Sequence, residues 1–302
     1  MKSQNLNSFL FFGGGTGMSR IIKPFISSEN FCTESKIYAI VSTFDNGGSS
    51  GILRSHYGAP ALGDIRKVLS ALSNKSNSEF LEYRFKNEPL AGHTVGNLLL
   101  YSYLKKTNSL ESAIKIYQEK YTEKTINLLP SSVLSANLIA NFQSELIFGE
   151  SRVEKISHEK IDDLYLLSKD KSEINADKKI IDIINKCSFI FFSPGSFYTS
   201  LLASMLPVGI VQAIKSSNAK IVLFQNRDKE SFMNHINFMN YKLNGLTPDI
   251  IASSNESLRT NLEKKYPQIK FIYHDFFSDN SKLHDFDKTK MFFEDFLKSI
   301  YS

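Results

Sequence analysis

An apolar run that stops on glycine constrains this chain more than any other feature. Ser8–Phe12 (SFLFF) passes without a break into Gly13-Gly14-Gly15-Thr16-Gly17, and then into the helical pattern Met18–Ile26. Strand, glycine-rich turn and helix, in that order, open a βαβ unit. Four consecutive apolar residues, with no polar alternation, predict a strand buried on both faces. Parallel sheets covered by helices on both sides provide that environment.

The same turn predicts an anion site. Glycines let the backbone approach a ligand, and the free N–H groups at a helix start point at phosphate oxygens. Two familiar phosphate fingerprints do not fit. With Gly13 and Gly15 as the first two glycines of a dinucleotide motif, the third position falls on Met18. No Gly-Lys-Ser/Thr follows, as a P-loop requires.

The α/β rhythm continues down the chain. Lys36–Thr43 (KIYAIVST) predicts a second strand, ending in a loop from Asp45 to Gly51. Asp64–Leu72 predicts a helix capped by Asp64, and His93–Leu104 another that places His93 and Asn97 on one face. Ser131–Val153 predicts a hairpin or meander, and Glu154–Lys179 a charged, irregular surface excursion. Strands follow at Ser188–Phe192, Lys220–Gln225, Asp249–Ser253 and Lys270–Tyr273, and a terminal helix at Asp285–Ile300. The expected fold is α/β: a Rossmann-like, doubly wound, mostly parallel sheet with a β-rich insertion. Residues 1–302 read as one domain, with the insertion at about 130–180.

Composition removes other classes. With 302 residues, 42% of them hydrophobic, the chain can bury a core and is not disordered. Two cysteines, Cys32 and Cys187, cannot form a disulfide framework or a four-thiolate zinc site. No stretch approaches the ~20 apolar residues of a membrane span, and Phe9–Phe12 is too short for a signal peptide. A soluble, cytoplasmic protein is expected. The net charge of +5 is mild, and basic residues do not cluster with aromatics into a nucleic-acid groove. His56, His158, His235, His274 and His284 have no metal-ligand spacing. The 24 Phe beside no Trp read as base composition rather than function.

Three further segments carry candidate chemistry. Asp45, Asn46, Gly47, Gly48, Ser49 and Ser50 follow the second strand, at the sheet edge where open α/β folds bind ligands. A carboxylate there can accept sugar hydroxyls or hold magnesium on a phosphate. Asp64 and Arg66 stand on the first turn of a helix, where Arg66 can clamp a phosphate. Ser193–Ser200 (SPGSFYTS) offers the N–H groups of Gly195 and Ser196 and the hydroxyls of Ser196 and Thr199 as a second phosphate cradle. It lacks the Gly-x-Ser-x-Gly elbow of a hydrolase nucleophile.

Taken in order, Gly13–Gly17, Asp45–Gly51, Gly63-Asp64-Ile65-Arg66, Gly92-His93-x-x-Gly96-Asn97-Leu98-Leu99 and Pro194-Gly195-Ser196-x-Tyr198-Thr199-Ser200 resemble one family. It is the bacterial gluconeogenesis factor (YvcK-like) family of the CofD-like, 2-phospho-L-lactate transferase superfamily. The resemblance spans Gly13 to about Asp285. It implies a Rossmann-like domain that binds a UDP-sugar such as UDP-N-acetylglucosamine, acting in carbon metabolism, cell-wall synthesis and cell shape, and a homo-oligomer. The binding residues it implies are Gly13, Gly14, Gly15, Thr16, Gly17, Asp45, Asn46, Gly47, Gly48, Ser49, Ser50, Arg66, His93, Asn97, Gly195, Ser196, Tyr198 and Thr199. The alternative is a transferase that moves a phospholactyl group from a nucleotide diphosphate donor to a deazaflavin. Its catalytic candidates are Asp45, Asn46, Asp64 and His93, with magnesium on Asp45. Three positions depart from the family pattern. Asn46 stands where a second carboxylate is usual, Ser193 where glycine is usual, and the segment after Gln225 (NRDKESFMNH) lacks a longer glycine-rich stretch.

Overall fold

The computed structural model describes residues 7–301 except 88, 125, 157–159, 227–231 and 280. His158 and residues 227–231 of the segment after Gln225 lie outside the described residues.

The first unit forms as the sequence dictates. Strand β1 (Ser8–Gly13) runs into helix α1 (Gly15–Ile26), and β2 (Lys36–Val41) returns parallel to β1. Helix α1 starts at Gly15, so Thr16 and Gly17 lie on its first turn rather than in a free loop. Helices α2 (Gly48–Tyr57), α3 (Gly63–Ala71), α4 (Lys75–Glu82), α5 (Val95–Thr107) and α6 (Leu110–Tyr121) follow, and lead to edge strand β3 (Asn127–Pro130). Strand β3 is four residues long and ends on Pro130, too little pattern to announce a strand. At the sheet edge a proline removes no ladder hydrogen bond.

An antiparallel sheet interrupts the rhythm. It comprises β4 (Ala136–Phe142), β5 (Glu145–Phe148) and β6 (Asp163–Ser168), in the order β5-β4-β6, with helix α7 (Glu150–Lys155) between the last two. The sequence expectation of an irregular excursion from Glu154 is corrected here. Strand β6 pairs with β4 from Asp163 to Ser168, burying Leu164 and Ser168 against it. Helix α8 (Lys178–Lys186) then returns the chain to the main sheet at β7 (Phe189–Phe192). Strands β8 (Lys220–Phe224), β9 (Ile250–Ser253) and β10 (Lys270–Tyr273) complete it.

The main sheet has seven strands in the order β10-β9-β8-β7-β1-β2-β3, every pair parallel. From β1 the chain winds outward through β2 and β3, then restarts at β7 on the other side of β1. The order therefore reverses between β1 and β7. The rules of doubly wound sheets put a ligand crevice at the carboxyl ends of those two strands.

The double burial of β1 is met by two cores. Leu10 and Phe12 join Ile40, Ile190 and Phe192 on one face, while Phe9 and Phe11 join Ala39, Val41 and Phe191 on the other. The phenylalanines have a packing role that composition did not suggest. Phe25 stands edge-on to Phe9 at 4.8 Å and to Phe293 of the terminal helix Phe286–Tyr301 at 5.0 Å. Each such pair contributes about 0.5–1.5 kcal/mol beyond burial. Together they fix α1, and hence the glycine turn, against the sheet.

Candidate functional site

At the switch point the β1 and β7 loops touch. A Cβ on Gly17 would lie 1.5 Å from the Pro194 carbonyl oxygen, so only glycine lets α1 approach that closely. Gly14 is equally confined, by Ser200 and the carboxylate of Asp64, and Gly15 by the Asp64 backbone. These glycines serve the contact between protein segments, in addition to any contact with a ligand.

Asp64 does not cap its own helix. Leu62 holds the cap position of α3, with no side-chain bond to the helix. The buried Asp64 carboxylate instead accepts the Gly15 N–H at the start of α1. An internal carboxylate thus occupies the helix-start donor that the sequence offers to a phosphate. Burial, and to a lesser degree Asp45, raise the pKa of Asp64, while Lys67 lowers it.

The second segment is a helix start rather than a loop. Gly47 takes the cap position of α2, and its N–H donates to Asp45 Oδ1 at 2.6 Å. Ser49 and Ser50 are buried on the first turn. Ser50 Oγ accepts the Gly63 N–H at 2.8 Å, and Ser49 Oγ lies 3.1 Å from His93 Nδ1. His93 precedes α5, whose cap is Thr94. His93 and Asn97 therefore do not share a helical face, contrary to the expectation. His93 is tied to α2, and Asn97 is buried with its N–H on Thr94 Oγ1 at 3.3 Å.

Arg66 is also placed differently. It is buried beneath Gly96 and beside Tyr117, and its guanidinium pairs with Glu82 at the end of α4. That charge is spent inside the helical layer rather than left open to an anion.

The β7 loop forms the other half. Ser193–Ser196 leads into a π-helical turn, Phe197–Leu202, capped by Ser196. Tyr198 is buried, which pushes its hydroxyl up to about 12. Thr199 Oγ1 donates to Glu154 Oε2 at 2.7 Å, and Ser196 Oγ donates to the same oxygen. Beside this cradle lies a cavity of about 160 Å³, bordered by Glu154, Ser193, Gly195, Asn226, Phe232 and His235. A stacked Phe197–His235 pair, 4.3 Å between centroids, stands in its wall.

Helix α7 contributes residues that the sequence reading passed over. Glu150 and Glu154, four apart, share one helical face. Glu150 hydrogen-bonds to Asp45, and Glu154 reaches the β7 loop. Burial first, then Asp45, with Glu154 and Asp64 contributing, push Glu150 up to about 8. Asp45, Asp64, Glu150 and Glu154 thus form an acidic floor, and their mutual repulsion favours the protonated form of Glu150. The signal available in sequence was the Glu-x-x-x-Glu spacing after Gly149, hidden by its place at the boundary of the supposed excursion.

Asn46 explains why that helix sits there. Its Oδ1 accepts both the N–H and the hydroxyl of Ser151, at 3.0 and 3.1 Å, and so satisfies the start of α7 from outside.

A seven-stranded parallel sheet with two such loops meeting at its switch point defines a Rossmann-like, doubly wound α/β protein. The chain belongs to the CofD family: the family model described as 2-phospho-L-lactate transferase CofD matches residues 10–291. Among relatives, it is 33% identical to the gluconeogenesis factor of Halalkalibacterium halodurans over 89% of this chain and 83% of that protein. It is 34% identical to a Thermotoga maritima protein designated "Putative gluconeogenesis factor", over 71% of this chain and 66% of that protein. The Aquifex aeolicus counterpart is 32% identical over 84% and 80%. A crystal structure of a UPF0052 family member from Bacillus halodurans superposes with a TM-score of 0.80 at 27% identity, covering 95% of this chain and 98% of that one.

Proposed function

We propose that this chain binds a nucleoside diphosphate sugar in the crevice between β1 and β7. A uridine diphosphate sugar such as UDP-N-acetylglucosamine is the first candidate. One observation carries the proposal. Two sets of oxygen-anion donors converge at the switch point, the Gly15 N–H on one side and the Ser196 and Thr199 hydroxyls on the other, and each already holds a carboxylate oxygen. Donors that stabilise a carboxylate also stabilise a phosphate oxygen. Asp45 and Glu150, between them, are acceptors for sugar or ribose hydroxyls.

The relatives designated gluconeogenesis factors favour a role in carbon metabolism; a regulatory part in cell-wall synthesis and cell shape, exercised by a cytoplasmic homo-oligomer, is what the family resemblance of the motifs implies. Among the described residues, no helix is long and apolar enough to cross a membrane. A thermal-shift panel of UDP- and GDP-linked sugars tests the binding. The expected result is a shift of several degrees with UDP-linked ligands. No shift with any nucleotide diphosphate sugar contradicts the proposal.

A second reading, phospholactyl transfer to a deazaflavin, is favoured by the description of the matching family model and by a carboxyl group, Glu150, poised near neutral pH. The magnesium such a transfer implies has no preformed cage. Among the described residues, no group of three or more His, Cys, Asp or Glu side chains is arranged to hold a metal, and Asp45 Oδ1 is engaged by Gly47. Turnover of a guanosine diphosphate phospholactyl donor with a deazaflavin acceptor supports this reading; no product after prolonged incubation removes it.

A further inference from the structure

We propose that Glu154 is an internal occupant of the phosphate subsite, and that a ligand's phosphate binds by displacing it. The residue would then set the selectivity of the site for phosphate-bearing over neutral ligands. The inference rests on the nucleotide-binding reading above and assigns a specific competitor to one half of that site.

The geometry points to a shared set of donors. Glu154 Oε2 takes the Thr199 hydroxyl at 2.7 Å and the Ser196 hydroxyl as well. Thr199 Oγ1 also lies 2.7 Å from Ser196 Oγ, so the two hydroxyls form one compact pair. A phosphate oxygen and a carboxylate oxygen make the same demand on that pair. Both cannot be met, because two anions at one position repel.

Glu154 is an occupant that can leave. Among the described residues no Lys or Arg pairs with it, and Glu150, one turn back on the same helical face, is acidic too. Glu154 is itself exposed, so its carboxylate can swing out into water when the two hydroxyls that hold it are taken by another anion. Its helix, α7, is six residues long, anchored at its start by Asn46. The cavity of about 160 Å³ that Glu154 borders opens directly beside the hydroxyl pair.

The test is calorimetric, on the full chain. Uridine diphosphate, uridine and inorganic pyrophosphate are titrated into the wild type, Glu154→Gln, Glu154→Ala and the double variant Glu154→Ala/Thr199→Val, with melting curves verifying folding. The expected result is an affinity for uridine diphosphate raised about tenfold in Glu154→Ala, a smaller gain in Glu154→Gln, and no change for uridine. The gain should vanish in the double variant. A gain that survives loss of the Thr199 hydroxyl would reflect general relief of acidity and overturn the proposal. So would an affinity that falls or stays constant in Glu154→Ala. If the nucleotide binds no form of the protein but pyrophosphate binds Glu154→Ala more tightly than wild type, displacement stands and the nucleotide reading falls. If pyrophosphate also binds neither, both fall.

Discussion

Asn46 Oδ1 accepts the backbone N–H and the hydroxyl of Ser151 across 105 positions of sequence, and so holds the helix that carries Glu150 and Glu154. The residue that departs from the family pattern is therefore an anchor for the acidic floor. Asn46→Ala should cost about 1 kcal/mol, the usual worth of a helix-start acceptor. Asn46→Asp keeps the acceptors but adds a charge beside Asp45. Its melting temperature should fall further below wild type as pH rises from 5 to 9. Equal melting curves for Asn46→Ala and wild type would contradict the anchoring role.

Gly17→Ala should be among the most damaging glycine changes. Its Cβ would overlap the Pro194 carbonyl at 1.5 Å, prising the β1 and β7 loops apart. A loss of about 3 kcal/mol follows from overpacking against backbone. Gly58→Ala is the control. Gly58 adopts φ +66 with open space around it, so strain of about 1 kcal/mol is the only cost. Urea denaturation measures both.

Glu150 predicts a pH dependence of stability. Its pKa rises from 4.5 in the unfolded chain to about 8 in the fold. Between those values the folded chain binds a proton that the unfolded chain has released, so stability falls as pH rises. Glu150→Gln removes that component while Asp64, shifted in the same direction, retains its own. Melting curves of wild type and Glu150→Gln should converge near pH 4.5 and diverge towards pH 8.5, with the glutamine variant the more stable there. Parallel curves across the range would refute the shift.

Arg66 and Glu82 should respond asymmetrically. Arg66 is 3% exposed and its partner 42%. Glu82→Gln leaves a buried guanidinium that cannot deprotonate, at a cost of about 3 kcal/mol. Arg66→Met leaves a carboxylate that reaches water, so the loss is mainly packing, about 1–2 kcal/mol. The reverse order in urea denaturation would show that the pair is not the source of the effect.

Much of the fold was legible where a segment's chemistry is local. The glycine turn after an unbroken apolar strand announced the βαβ unit, and the apolar strands of the second half were found almost to the residue. What escaped was set by contacts distant in sequence. A cap is a local pattern and so points Asp64 to its own helix, yet its carboxylate serves α1. Spacing alone puts His93 and Asn97 on one face, but Thr94 starts the helix between them. Strand β6 pairs with the edge of β4, and its short apolar run Leu164–Leu167 is hidden in the sequence by the charged residues on either side. Glu154 is silent in the sequence because its meaning comes from Ser196 and Thr199, more than 40 positions away.

The central claim is that a diphosphate sits between the Gly15 N–H and the Thr199 hydroxyl. A crystal structure of the protein grown with saturating UDP-N-acetylglucosamine tests it most directly. The account predicts density for the diphosphate at the β1–β7 crevice, within hydrogen-bond distance of Thr199 Oγ1, and the Glu154 carboxylate turned out of the cradle. Density for the nucleotide at any other edge of the sheet, or none at saturation with Glu154 still bonded to Thr199, would contradict it.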